Sequence, residues 1–187
     1  MENKNYLFKS ERLGFRNWEQ ADLEEFVKLN ADEKVMEHFP KTLSLDEVRK
    51  LVEKLKNQFE TFRFTYYVTE VLATNEFIGM IGMAYQVFPS AYTPAVDIGW
   101  RLKRSAWGKG YATEGAKRCL NHGFSKFDMD RIISICTLKN TKSENVMKKI
   151  GMTKIGEFNY PDMKQNPEYE AHFCYEISRN SFSANII

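Results

Sequence analysis

Cysteine is scarce in this chain. Cys119, Cys136 and Cys174 are odd in number and widely spaced, and they form no C-x-x-C pair. Free thiols in a reducing cytoplasm are therefore expected, rather than a disulfide framework. Histidine is as rare: His38, His122 and His172 make no H-x-x-x-H or H-E-x-x-H pattern, so no metal is expected. The segment from Met1 to Arg12 has no apolar core, which argues against a secretory signal. No apolar run approaches the length of a membrane span, so a membrane partner is not expected. A net charge of +2 is too weak to argue for direct nucleic-acid binding. There is no internal repeat, low-complexity stretch or interdomain linker. One domain over 1–187 is the expectation.

What is present suits a soluble enzyme-sized domain: 43% apolar residues for a core and 28% charged residues for a surface. The most informative stretch runs from Asp97 to Phe127. Val96, Ile98, Trp100 and Leu102 alternate with Asp97, Gly99 and Arg101, the period of a strand. Ala112, Ala116, Leu120, Phe124 and Phe127 then fall on one helical stripe. Gly108-Lys109-Gly110 joins the two. The first turn of a helix has unpartnered N–H groups and partial positive charge. Glycines let an anion approach that backbone closely. The stretch reads as a strand, glycine turn and helix that hold a phosphate; a plain corner made of glycines is the competing reading. A Walker-type loop is excluded because Gly110 stands where Ser or Thr must follow the lysine. A dinucleotide fingerprint is excluded because its third glycine would fall on Thr113.

Along the rest of the chain, Arg12–Arg16 reads as a short strand and Asn17–Asn30 as a helix. Glu33–Phe39 reads as a short helix or turn. Ser44-Leu45-Asp46-Glu47 is a capping box that opens a helix to about Phe59. Phe62–Leu72 and Glu76–Val87 read as the two strands of a hairpin around Ala73-Thr74-Asn75. An aromatic loop, Phe88–Pro94, leads into the organising strand. Arg131–Leu138 is a strand, parallel to the organising strand because a helix intervenes. Lys142–Ile150 is a helix closed by Gly151. Met152–Phe158 and Ala171–Ser178 are the last strands, separated by a polar loop holding Pro161 and Pro167.

Read as Q/R-x-x-G-x-G/A, Trp107-Gly108-Lys109-Gly110-Tyr111-Ala112 resembles the coenzyme-A pyrophosphate loop of the GNAT superfamily of N-acetyltransferases. Trp107 departs from the usual Gln or Arg, but main-chain groups do the binding. The form W-G-K-G-Y-A-T-E looks like the branch that includes the ribosomal-protein N-terminal alanine and serine acetyltransferases. A second stretch, Asn140 to Gly151, resembles the family's N-x-x-S-x-x-V-x-x-x-x-G. It also reads as a helix cap, through Asn140 or through Thr141 with Glu144. The resemblance covers nearly the whole chain and is strongest from about Phe77 to Gly156. It implies an α/β (α+β) fold: a mixed, mostly antiparallel sheet with helices on both faces. It also implies acetyl-CoA as co-substrate, a primary amine as acceptor, and compatibility with a homodimer.

By the same resemblance the amides from Gly108 through Lys109, Gly110, Tyr111 and Ala112 to Thr113 hold the pyrophosphate, beside Trp107. The backbone of Leu102 pairs with the pantetheine arm if its strand diverges from Arg131–Leu138. Asn140 hydrogen-bonds the coenzyme and Ser143 lies near its sulfur. Aminolysis needs a neutral amine. A lysine side chain is neutral about once in 2,500 molecules at pH ~7, a cost of roughly 4.6 kcal/mol, against about 1 for a chain-terminal amine. Asp97 is the candidate general base, with an ion pair to Arg101 as its competing role. Many members of the family protonate the thiolate from a tyrosine whose position here is Met147, which cannot donate; Ser143 is the remaining candidate. His38, the Phe88–Pro94 loop and Tyr160 are candidates for the acceptor pocket. The reading is an N-acetyltransferase, against a non-catalytic acyl-CoA-binding or regulatory module of the same fold.

Overall fold

The computed structural model describes residues 5–184, apart from the side chains of Asp162, Ser183 and Ala184. Strands β1 (Phe8–Lys9) and β2 (Leu13–Arg16) lead into helices α1 (Asp22–Ala31) and α2 (Leu45–Phe62). Strands β3 (Tyr66–Val71), β4 (Glu76–Gln86) and β5 (Ala95–Leu102) follow. Then come α3 (Tyr111–Lys126), β6 (Arg131–Thr137), α4 (Thr141–Lys149), β7 (Thr153–Asn159), β8 (Ala171–Ser178) and α5 (Arg179–Ala184). They build one eight-stranded sheet in the order β1-β2-β3-β4-β5-β6-β8-β7. Every neighbouring pair is antiparallel except β5 and β6. The mixed, mostly antiparallel sheet with helices is the fold class expected from the sequence.

Two apolar layers cover the sheet. On one face α1 and α2 bury Phe26, Leu29, Val48, Val52 and Leu55 against Trp18, Val68, Phe77 and Met80. On the other, Ala116, Leu120 and Phe124 of α3 pack on Leu13, Phe15, Tyr67, Ile81, Met83 and Ile98. The stripe read from the sequence of α3 is thus its buried face. The three cysteines are buried free thiols. No helix among the described residues is long and apolar enough to cross a membrane.

Several elements differ at their ends from the sequence expectation, for local reasons. Helix α1 starts at Asp22, not Asn17, because the Asp22 carboxylate accepts from the Glu19 N–H at 2.7 Å and from the Arg16 guanidinium. The Ser44–Glu47 capping box forms as read, but α2 continues to Phe62 and ends on Arg63 in the left-handed conformation. The following strand consequently begins at Tyr66. Residues 33–39 form turns, not a helix.

The first strands are fixed by a buried ion cluster. Arg16 on β2 makes two bonds to Asp22, at 2.6 and 2.7 Å, and two to one oxygen of Glu70 on β3, at 2.6 and 3.2 Å. Tyr6 donates to the other Glu70 oxygen at 2.8 Å. All three charged residues are buried. Removing the cation leaves two carboxylates without their charge partner in a low dielectric. Arg16→Met is expected to cost about 3–5 kcal/mol of stability, read from urea denaturation; a loss below about 1 kcal/mol would show that the cluster contributes nothing net.

Candidate active site

The glycine turn between β5 and α3 has the conformation that only glycine adopts without strain. Gly108 and Gly110 have φ of 72° and 81°. Gly110 is the N-cap of α3 and offers no side chain to satisfy the first turn. The backbone N–H groups from Gly108 to Thr113 find no acceptor among the described residues. A Cβ at Gly108 would meet nothing within 4 Å. The result is a row of free amides at a helix N-terminus, an anion-binding arrangement.

The turn is held from outside by residues that local patterns do not reveal. The Arg12 side chain donates to Glu114 at 2.6 Å and to the Lys109 carbonyl at 3.1 Å, and its guanidinium lies 4.7 Å from the Tyr111 ring centroid. Glu114 also accepts from Ser10 at 2.7 Å and from the Arg12 N–H at 2.8 Å. Trp107 works as a brace. Its indole N–H donates to the Leu102 carbonyl at 2.9 Å, and Lys142 of α4 sits 4.4 Å from its ring centroid. The tryptophan in place of Gln or Arg thus ties the turn to the end of β5 and to α4.

Helix α4 is capped by Asn140, whose side-chain oxygen accepts from the Ser143 N–H at 3.0 Å. The cap leaves the carboxamide nitrogen of Asn140 as a donor. Both residues line the same cavity as the glycine turn. Met147 is buried in the core under α4, filling the position of the family tyrosine with packing.

The cavity exists because β5 and β6 part. They share one register pair, Asp97 with Ile133. Beyond it the Ser134 hydroxyl, not a backbone amide, donates to the Ile98 carbonyl at 2.8 Å. β5 stays paired to β4 as far as Leu102, while β6 stays paired to β8 along its whole length. The gap widens into a cavity of about 800 Å³. Its wall includes Gly108, Gly110, Tyr111, Ala112 and Thr113 of the turn, with Leu102, Trp107, Asn140, Ser143 and Asp97. Of the residues expected to hold the coenzyme or to act on it, only Lys109 does not line it, and the Lys109 carbonyl is taken by Arg12; of the Phe88–Pro94 loop expected at the acceptor pocket, Phe88 alone lines it.

Asp97 is buried and does not pair with Arg101. Both its oxygens lie 2.7 Å from the Tyr66 hydroxyl, and Gln86 donates to one of them at 3.1 Å. Burial raises its pKa to about 6, with the Tyr66 and Gln86 hydrogen bonds opposing that rise. Arg101 instead donates to Asn30 and lies over the Phe39 ring, 4.3 Å from the centroid. His38 and Tyr160 line the cavity as expected, and so does Phe88.

Two further wall residues carry no signal in the sequence. His172 of β8 places Nδ1 2.9 Å from the Glu170 carbonyl. A carbonyl only accepts, so Nδ1 carries the proton and Nε2 keeps its lone pair. Burial lowers its pKa and keeps it neutral. The Thr137 hydroxyl is buried on the wall without a hydrogen-bond partner among the described residues.

With this geometry in hand, the chain can be compared with known proteins. Residues 12–153 match the profile of the acetyltransferase (GNAT) domain. An uncharacterized N-acetyltransferase of Bacillus subtilis, YnaD, is 31% identical over 166 residues, 88% of this chain and 92% of YnaD. The crystal structure of a GNAT-family acetyltransferase from Bacillus anthracis superposes with a TM-score of 0.74 at 29% identity, covering 92% of this chain and 98% of that one. RimL, a ribosomal α-N-protein acetyltransferase solved with coenzyme A, shares the fold at a TM-score of 0.74 and 19% identity, covering 93% and 98%. The chain belongs to the GNAT acetyltransferase family. It is an N-acetyltransferase, which favours the enzyme over the non-catalytic module.

The raised pKa of Asp97 has a consequence for stability. A carboxyl that holds its proton more tightly when folded binds more protons than the unfolded chain between pH ~4 and ~6. Its contribution therefore falls as pH rises through that window, by up to roughly 3 kcal/mol. Asp97→Asn removes this loss. Relative to wild type, the variant is expected to gain stability between pH ~4 and pH ~7 in urea denaturation. An unchanged difference at the two pH values would contradict a raised pKa.

Proposed function

We propose that this protein transfers an acetyl group from acetyl-CoA to a primary amine by direct aminolysis. The observation that carries the reading is a single continuous cavity. At one end are the free amides of the glycine turn; the buried Asp97 carboxylate at the gap between β5 and β6 and Ser143 in the first turn of α4 share the same wall. In this reading the amides from Gly108 to Thr113 hold the pyrophosphate, with Trp107 bracing the turn. Lys109 contributes its backbone N–H, not its side chain. The free edge of β5 near Leu102 takes the pantetheine arm, alongside Asn140.

The chemistry is a substitution at the thioester carbon. The amine nitrogen forms a bond to that carbon, the carbon–sulfur bond breaks, and one proton leaves the nitrogen. Asp97 receives that proton. A carboxylate whose pKa sits near 6 is largely ionised at neutral pH, yet more basic than an exposed one. The Ser143 hydroxyl stabilises the leaving thiolate by a hydrogen bond, since its own pKa is far too high for full transfer. The proton on the coenzyme thiol then comes from water, and Asp97 gives the proton it took from the nitrogen back to the hydroxide so formed. An amine of low pKa suits this machinery best, since it is cheaper to neutralise than a lysine side chain.

Two measurements test the reading. Asp97→Asn is expected to lower the maximal rate of amine-dependent thiol release by roughly 10- to 100-fold, with partial recovery at high pH and little change in acetyl-CoA affinity. A wild-type rate across the pH range would remove Asp97 from the mechanism. Gly110→Val places a branched side chain at φ 81° beside the free amides. Calorimetry on the folded variant is expected to show no detectable coenzyme-A binding, and unchanged affinity would refute the loop assignment.

A further inference from the structure

Arg101 is a charge without a counter-charge. No carboxylate lies within ion-pair distance of it among the described residues. It donates to the neutral amide of Asn30 and lies over the ring of Phe39. Its Nε is buried with no acceptor among the described residues. The residue is half-buried, and a guanidinium partly withdrawn from water without an anion is costly. Burial alone pulls the pKa of Arg101 down to about 10, still fully charged at neutral pH. The side chain lies on the cavity wall, so a ligand there can supply the missing anion.

Strand alternation says which ligand. Trp100 and Leu102 point to the layer that contains α3, whose first turn presents the free amides. Arg101 points the other way, with Asp97 and Gly99, toward Asn30 of α1 and Phe39. It therefore shares a face with the proposed base and not with the phosphate-binding turn. Nor does the cavity suit a polycation. The carboxylates on its wall, among the described residues, are Asp97 and Glu37. Glu37 is already faced by Lys142 at 3.0 Å and Lys34 at 3.7 Å.

We infer that Arg101 recognises a carboxylate on the acceptor, so that the substrate class is an amine that also carries a carboxylate, such as an amino acid or a short acidic peptide. The inference rests on the acetyl-transfer reading above. Arg101 acts here in specificity: its planar fork meets the two carboxylate oxygens, while the amine is directed to Asp97 along the same strand face.

The test uses matched pairs that differ only in the carboxylate. Methionine, phenylalanine and glutamate are compared with their α-carboxamides in thiol release. Their N-acetyl derivatives are compared by calorimetry on the coenzyme-A complex, a readout that needs no turnover. The carboxamides have the more readily neutralised amines, so chemistry alone favours them. Wild type is expected to prefer at least one acid by roughly 10- to 100-fold, in KM and in product affinity. Arg101→Gln is expected to erase that preference with coenzyme-A affinity unchanged. Arg101→Lys, which keeps the charge and loses the fork, is expected to fall between. Melting temperatures of both variants check the bond to Asn30. Equal use of acids and amides, binding of no acid in the set, or a preference for polyamines overturns the inference. Weakened coenzyme-A binding in Arg101→Gln overturns it too, since the anion would then belong to the coenzyme. Acid-selective product binding without thiol release from any amine would instead leave the recognition intact and refute the acetyl-transfer reading.

Discussion

The whole site depends on one broken pairing. Two parallel strands, β5 and β6, meet at Asp97 and Ile133 and then separate. Each is committed elsewhere: β5 to β4 on one side, β6 to β8 on the other. The Ser134 hydroxyl closes the last contact to Ile98, and beyond it the edge of β5 that faces β6 has no strand paired to it among the described residues. An unpaired strand edge inside a domain must find partners for its amides and carbonyls. Trp107 takes the Leu102 carbonyl from the side of the glycine turn. The remaining edge faces a cavity into which an extended ligand arm can fit as another strand. The same divergence leaves Asp97 buried at the apex, where the sheet is still closed.

The glycine turn is only half of the anion site. Its free amides come from local geometry, but the orientation of α3 is set from the other end of the chain. Arg12 and Ser10 grip Glu114 one turn into the helix, and Arg12 also holds the Lys109 carbonyl. The free amides and the brace that aims them are therefore separate devices. The acidic residue in the first turn of α3 does not cancel the positive end of the helix, because Arg12 faces it.

What could be read from the sequence was what depends on neighbours along the chain. The strand, turn and helix from Asp97 to Phe127, the capping box at Ser44 and the Asn140 cap all rest on spacings of a few residues. The insertion of β8 between β6 and β7 left no local trace, because strand order is decided by packing. The Arg16 cluster joins residues 54 positions apart, and the Arg12 brace spans 102. His172 reaches the site only because β8 lies beside β6, where it pairs with Thr137. For Asp97 the sequence offered a base or an ion pair with Arg101. The competing pair fails because of a third residue, Tyr66 on β3, which no spacing rule connects to either.

That third residue explains how two opposite charges stand on one strand face without neutralising each other. Between Asp97 and Arg101 lies Gly99, and its missing side chain makes room for the Tyr66 ring. A Cβ there would meet that ring at 3.2 Å and its hydroxyl at 3.3 Å. The tyrosine fills the gap and takes both oxygens of Asp97. Its own burial, with the Asp97 charge, raises its pKa well above the ordinary value, so it remains a donor. Arg101 is drawn off to Asn30 and Phe39. A direct ion pair would lower the carboxylate pKa and quench the guanidinium. The arrangement with Tyr66 leaves a carboxylate that binds a proton more tightly than an exposed one and a cation open to an anion. Each costs stability in the free protein, and each is suited to a ligand that brings an amine to one and a negative charge to the other.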